Sequence, residues 1–274
     1  MPTGSPDPIA LVDLATEVAR KAADLLLEGA QRTRDSVETK TSTTDMVTEM
    51  DHASEALIVE LLQAARPDDG IVAEEGSSRP GSTGLRWVID PLDGTTNYLY
   101  GLPGWAVSIA AEQVTDRGDR RVLAGVVLDA VHDRLYSAAA GHGARVNGEP
   151  IRCSDATDLS RALVGTGFGY QPERRRDQAR VLVELLPRVR DIRRNGAAAV
   201  DLCLVACGRL DAYYEHGLAW WDHAAGSLIA AEAGAVVSPL GDRTVLDGSI
   251  VAAAPGVHAA LRGLLDALGA SEVA

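Results

Sequence analysis

The stretch "WVIDPLDGTTNYLYGLPGWAVSIA", Trp87 to Ala110, constrains this chain more than any other. An apolar run, Trp87 to Ile89, leads directly into Asp90, Pro91, Leu92, Asp93 and Gly94. A carboxylate ending a buried strand is costly unless something pairs with it. Pro91 holds φ near about −65° and has no N–H for a ladder, so the strand is expected to end there and turn. The turn brings both carboxylates to one side with a backbone carbonyl between them, and Gly94 allows close approach. The N–H groups of Gly94 and Thr95 can then face an anion, as at a helix N-terminus. One loop thus offers cation ligands and phosphate donors together; the alternative is an Asx-type turn that caps the next element.

Around this loop the text alternates between helix and strand patterns. Leu11, Leu14, Ala15, Val18, Ala22, Leu25 and Leu26 make one helix stripe within 9–28, and a second helical pattern runs from about His52 to Ala65. "GIVAEE" and "RWVID" are strands on either side of a Gly/Ser-rich loop, 76–84. From Val107 to Cys153 the pattern is β, with Asn147-Gly148 as a hairpin turn. After "ALVGTGF", helices are expected around 173–187, 196–207, 222–233 and 256–268, with strands entering Ile192, at "RLDAYYE" and at "SIVAAA". No fixed-period repeat is present. The mixture indicates layered α and β in two halves, 9–155 and 156–274, behind a frayed tail, 1–8.

Composition narrows the function classes. With 26 basic and 39 acidic residues the net charge is −13, so neither nucleic acid nor an anionic membrane is an expected partner. The longest uncharged run, Gly94 to Ala111, contains Asn97, Gly101, Pro103 and Gly104, which break a membrane helix. The first twenty residues lack a basic n-region and carry Asp13 and Glu17, unlike a signal peptide. Cys153, Cys203 and Cys207 form no C-x-x-C, so reduced thiols without a catalytic role and a cytoplasmic address are expected.

Further acids stand at strand ends and helix starts: Asp51 in "TTDMVTEMD", Glu74 and Glu75 in "VAEEG", and Asp222 in "WWDHAAG". Together with Asp90 and Asp93 they supply hard oxygen ligands, suited to Mg²⁺, Mn²⁺ or Ca²⁺ rather than Zn²⁺. Glu75 is read as the solvated member of its pair. Asp51 and Asp222 have helix capping as their alternative role, and Lys40 has that of a solvated loop lysine. His223 is nearest the acids and is expected at the surface or behind the ligands. Trp220 and Trp221 are expected to pack beneath Asp222, and "ERRRDQAR", 173–180, to be a solvated helix face.

In this order and spacing, "KTSTTDMVTEMD", "AEEG", "DPLDGTTNY" and "WDHAAGSLIAAEAG" closely resemble the inositol monophosphatase family of Mg²⁺-dependent, Li⁺-sensitive phosphatases, over roughly Ile9 to Leu264. "GTGFGY" and "DIRRNGAAAVDLCLVACGRLDAYYEHG" look most like bacterial, particularly actinobacterial, members of the inositol-1-monophosphatase branch. The resemblance implies an α/β (α+β layered) fold, the αβαβα sandwich of the inositol monophosphatase and fructose-1,6-bisphosphatase type. It also implies a homodimer that hydrolyses a small phosphate monoester with two or three Mg²⁺ per site, Mn²⁺ being a possible substitute.

By the same resemblance, Glu74, Asp90 and the Leu92 carbonyl match the ligands of a first metal. Asp90, Asp93 and Asp222 match those of a second, and Glu74 serves a third through water. Thr95 and Asp51 match the pair that orients and deprotonates the attacking water. Gly94 and Thr95 match the backbone donors to phosphate, while Gly196, Ala198, Glu215 and Asp93 match positions that hold substrate. Lys40 matches a basic residue at the mouth. One departure stands in "NGAAA": Ala197 replaces the Ser or Thr common in the family, so a side-chain hydroxyl contact is absent there.

Relatives of this fold also hydrolyse fructose-1,6-bisphosphate, 3′-phosphoadenosine 5′-phosphate or histidinol phosphate. Glu215 favours a polyol, because a carboxylate accepts two hydroxyl hydrogen bonds and repels a second phosphate. The rival from another class is a regulatory protein-binding role on the same fold.

Overall fold

The computed structural model describes residues 6–30, 37–39, 46–115 and 118–272. Helix α1 (Pro8–Ala30) starts on Pro8, a good first helical residue because an N–H at that position has no intrahelical partner. The expected tail therefore loses its last residue to the helix. A short antiparallel pair, β1 (Val37–Thr39) and β2 (Met46–Thr48), precedes α2 (Glu49–Ala65). Because α2 begins at Glu49, Asp51 lies inside its first turn and does not cap it.

The first large sheet follows: β3 (Gly70–Ala73), β4 (Ser78–Arg79), β5 (Leu85–Asp93), then helix α3 (Thr95–Leu99), β6 (Ala106–Val114), β7 (Arg120–Asp129), β8 (Arg134–Ala139), β9 (Ala144–Val146) and β10 (Glu149–Pro150). The 76–84 loop thus contains a two-residue strand. Strand β5 also runs past Pro91. Its pairing with β6 stops at Asp90 opposite Ser108 and resumes at Asp93 opposite Ala106, so Pro91 and Leu92 form a bulge. A bulge needs no proline N–H, which is why the strand bends there and continues. The hairpin turn holds Asn147 at φ 48° and Gly148 at φ 85°, the left-handed pair that a two-residue turn requires.

The second sheet is built from β11 (Leu163–Thr166), β12 (Asp191–Arg193), β13 (Ala212–His216), β14 (Val236–Ser238) and β15 (Ser249–Ala253). Between its strands run α4 (Pro172–Leu185), α5 (Ala198–Ala206) and α6 (Trp220–Glu232), and α7 (Pro255–Ala267) follows β15. β14 had no expectation attached; it is short, and Val236 is exposed. Strand order is β10-β9-β8-β7-β6-β5-β3-β4 in the first sheet and β12-β11-β13-β15-β14 in the second.

Alternation along the strands explains the layers. On β5 and β6, Trp87, Ile89, Val107 and Ile109 face α1 and α2, whereas Val88, Ala106 and Ala110 face α5 and α6. The middle layer approaches closely because small residues permit it: a Cβ on Gly125 of β7 would sit 2.9 Å from the Ala225 carbonyl of α6. On the far side of the second sheet, Leu185, Leu261 and Leu265 form the outer core with Val164 and Val251. Each such fully buried aliphatic side chain contributes about 1.5–3 kcal/mol. The result is helices, sheet, helices, sheet, helices, the layered αβαβα arrangement. Among the described residues no helix is long and apolar enough to cross a membrane.

Candidate active site

Strands β3 and β5 are parallel, with Ala73 opposite Ile89. The next residue after each is an acid, so Glu74, just past the end of β3, and Asp90 of β5 lie side by side. Helix α6 packs on that face and brings Asp222 to them; one oxygen from each of the three carboxylates lies within 4.8 Å of the others. These residues line one side of an open cleft of about 1080 Å³, solvent at its mouth included. Leu92, Asp93, Gly94 and Thr95 line it with them, and Gly196, Ala198 and Glu215 form the facing wall. The sequence-expected residues thus converge, except Asp51, which reaches the cleft through Thr95, and Lys40, which lies outside the described residues.

A polar stripe on α2 holds the acidic side in shape. Asp51 and Ser54 are buried on it, and so is Glu55. Ser54 Oγ donates to the Pro91 carbonyl at 3.0 Å, fixing the bulge. Glu55 accepts the N–H groups of Glu75 and Ser77 at 2.7 and 2.9 Å, fixing the turn after Glu74. Asp51 Oδ1 stands 3.5 Å from Thr95 Oγ1, whose nearer partner is the Leu92 carbonyl at 3.1 Å. Sequence reasoning missed Ser54 and Glu55. Their signal was the helical spacing from Asp51, which puts all three on the stripe that continues into Ile58 and Leu62.

Gly94 sits at φ 90°, and a Cβ there would meet the Gly104 carbonyl at 2.9 Å and the Ala197 Cβ at 3.2 Å. The turn is therefore wedged against the opposite wall. Asn97 completes the join: its Nδ2 donates at 2.7 Å to the carbonyls of both Gly104 and Asn195. Asp93 crosses the same gap, accepting the Ala199 N–H at 2.7 Å near the start of α5. Ala197 precedes α5 and supplies no side-chain cap, as the replaced hydroxyl leads one to expect.

Burial and mutual repulsion raise the carboxyl pKa values together. Asp90 is pushed well up by burial, then by Glu74, Asp93 and Asp222. Asp222 is pushed up by burial, Glu74 and Asp93. Asp93 rises to about 8 through burial, against the Ala199 N–H, with Glu74 adding repulsion. Such a cluster is stable as anions only beside positive charge, and an all-oxygen set suits Mg²⁺, Mn²⁺ or Ca²⁺. The donor set fits a divalent cation.

The facing wall holds residues the sequence reading left out. Asp201 of α5 is buried in the cleft wall, orients on Asn195 Nδ2 and is raised to about 7, chiefly by burial. Glu215 accepts the Tyr213 hydroxyl, and burial raises its pKa. Gly167 leaves the room that Glu215 fills, since a Cβ there would overlap its carboxylate. Arg194 and Arg174 also line the cleft. Arg174 belongs to the run expected as a solvated helix face; instead it lies along Gly169 and Gly217, where a side chain would block it, while Arg175 and Arg176 stay exposed.

Two other expectations change. The Glu75 side chain is only 5% exposed and stands 3.6 Å from His52 Nδ1, because Glu55 turns that segment inward. Asp222 is the third residue of α6 rather than its N-cap residue; it caps the helix from that position, its Oδ2 accepting the Ala219 N–H at 2.7 Å. Of the two places expected for His223, the structure takes the one behind the acids: it is fully buried, burial lowers its pKa to about 4, and its Nε2 has no hydrogen-bond partner among the described residues. Trp220 and Trp221 do pack against the middle core.

Fold and site together define a class: a layered α/β protein whose clustered carboxylates offer ligands that could hold a hard cation beside a glycine turn. Residues 8–269 match the model of the inositol monophosphatase family. The inositol-1-monophosphatase of Mycobacterium leprae is 47% identical over 240 residues, covering 82% of this chain and 79% of that protein. The Nus factor SuhB of Pasteurella multocida is 40% identical over 249 residues, 89% of this chain and 91% of its own. The solved structure of Mycobacterium tuberculosis SuhB superposes with a TM-score of 0.81 at 42% identity, covering 96% of this chain and 98% of that one. The chain belongs to the inositol monophosphatase family.

Proposed function

We propose that this chain is a Mg²⁺-dependent phosphomonoesterase that hydrolyses inositol monophosphate to inositol and phosphate. The meeting of Glu74, Asp90 and Asp222 within 4.8 Å, beside the Gly94–Thr95 turn, carries the reading. The name of the Mycobacterium leprae relative supports the substrate. Glu74, Asp90, Asp93, Asp222 and the Leu92 carbonyl would hold the ions, two or three per site, with Mn²⁺ as a substitute. Bound there, Mg²⁺ supplies charge neutralisation for the ester and acidifies water.

The chain's own groups do the rest. Gly94 and Thr95 N–H groups hold the phosphate, and the Thr95 hydroxyl with Asp51 orients the attacking water and takes its proton. Water oxygen bonds to phosphorus, the ester P–O bond breaks, and the departing inositol oxygen gains a proton. Gly196, Ala198 and Glu215 bind the inositol hydroxyls, with Asp93 beside them and Lys40 at the mouth. The half 9–155 contributes Glu74, Asp90, Asp93 and the Gly94–Thr95 turn, and the half 156–274 contributes the facing wall together with Asp222. Li⁺ sensitivity, a homodimeric state and a cytoplasmic address complete the proposal.

Phosphate release from inositol-1-phosphate, titrated with Mg²⁺ with and without Li⁺, tests it. Mg²⁺-dependent turnover inhibited by Li⁺ is expected; no turnover at any Mg²⁺ concentration overturns it. The Nus factor name of the Pasteurella relative favours a second reading, a regulatory protein-binding role. Specific capture of a protein partner by an inactive Asp93→Asn variant distinguishes that role.

A further inference from the structure

Glu112 is a fully buried carboxylate that the proposed chemistry does not use. It lies on β6 at a register shift and stands opposite Arg86 of β5. Arg86 Nε donates to its Oε1 at 2.7 Å, and Nη2 closes on the same oxygen. The other oxygen, Oε2, accepts the indole N–H of Trp220 at 3.0 Å. Trp220 opens α6, two residues before Asp222, and its ring meets that of His223 edge-on at 5.0 Å. None of Arg86, Glu112 and Trp220 lines the cleft.

The start of α6 has a weakness that this contact offsets. Its N-cap, Ala219, has no side chain to accept the N–H groups of the first turn, and the one side-chain contact there is the Asp222 carboxylate accepting the Ala219 N–H. The same carboxylate is needed at the cation centre. A helix start whose capping group is also a metal ligand needs a second anchor, or its first turn frays and the ligand moves with it. The indole hydrogen bond to Glu112 is a directional anchor. It is firm because Arg86 compensates the buried charge that receives it.

We propose that Arg86, Glu112 and Trp220 form a positioning relay that fixes the first turn of α6 and thereby the aim of Asp222 at the divalent-cation centre. This rests on the metal-site reading of the proposed function. Two measurements on the full chain test it: amide hydrogen exchange over 219–222 in the metal-free protein, and Mn²⁺ binding by calorimetry. Trp220→Phe keeps the ring and removes the N–H. It is expected to speed exchange at 219–222 about tenfold and to weaken Mn²⁺ binding about tenfold. The KM for inositol-1-phosphate at saturating Mg²⁺ stays within about twofold, because no substrate contact is lost. Glu112→Gln leaves a single oxygen to serve both Arg86 and the indole, so one of these donors faces the amide NH2, and exchange and Mn²⁺ affinity are expected to move in the same direction as in Trp220→Phe. If Trp220→Phe lowers the melting temperature yet leaves exchange and Mn²⁺ affinity at wild-type values, the contact is packing alone and the relay is overturned. If wild-type protein binds no Mn²⁺, the metal-site reading fails, and the exchange rates alone decide whether the relay holds the turn.

Discussion

The two walls of the cleft hold their charged groups in opposite ways. On the acidic wall, adjacent parallel strands in register set Glu74 and Asp90 side by side, and α2 fastens the turns behind them through Ser54 and Glu55. On the facing wall, Glu215, Asp201, Arg194 and Arg174 come from separate elements, and glycines at 167, 169, 196 and 217 clear the space that Glu215, Arg194 and Arg174 occupy. One wall is aimed by backbone register; the other is shaped by missing side chains. The first is suited to chemistry that tolerates no displacement, and the second to recognising a leaving group.

If that division holds, substitutions on the acidic wall stop turnover while those on the facing wall redistribute it among substrates. The largest effect is expected for Asp93→Asn, which keeps the Ala199 contact and removes a charge: kcat falls on the order of 10³-fold with protein folded by circular dichroism. Next comes Gly94→Ala. At φ 90°, with the Gly104 carbonyl 2.9 Å from the new Cβ, the turn must shift, and kcat drops about 10²-fold. Glu215→Gln is smaller: kcat/KM for inositol-1-phosphate falls about 10-fold, mainly through KM, from the loss of charged hydrogen bonds to hydroxyls. A kcat loss at Glu215 equal to that at Asp93 erases the distinction between the walls.

The smallest effect sharpens the comparison through pH. Asp90 and Asp222 have raised pKa values, and Asp93 is at about 8, so the metal-free folded state binds protons more tightly than the unfolded chain. The unfolded state binds fewer protons between about pH 4, the ordinary carboxylate value, and pH 8, so stability is lost as pH rises through that window. Metal-free protein is therefore expected to melt lower at pH 8 than at pH 5, by about 2–4 °C for each 1 kcal/mol lost. Mg²⁺ raises the melting temperature more at the higher pH. Calorimetric scans at both values, with and without Mg²⁺, check the sign.

Much of the acidic wall was legible because its signals are local. "WVIDPLDGTT" carries a buried strand, two acids and a glycine turn in ten consecutive residues, and one of those acids, Asp90, meets Glu74 and Asp222. What misled was the assumption that Pro91 must end β5; the partner strand accommodated it as a bulge. The facing wall was harder. Arg174 reads as one of three consecutive arginines, and only the packing of α4 against Gly169 and Gly217 separates it from its solvated neighbours. Glu112 sits in an ordinary strand pattern, and its partners are 26 residues before it and 108 after it.

Sequence alone determined the alternation of elements, the family signatures, the excess of acid and the residue types able to hold a hard cation. These are properties of short segments, where hydrophobic period and turn chemistry act over a few residues. Tertiary structure alone decided which carboxylates converge, that Glu75 turns inward, that His223 is buried, and that Arg174 rather than Arg175 or Arg176 faces the cleft. Those outcomes depend on register between strands and on the space left by distant glycines, and neither is encoded at any one position in the chain.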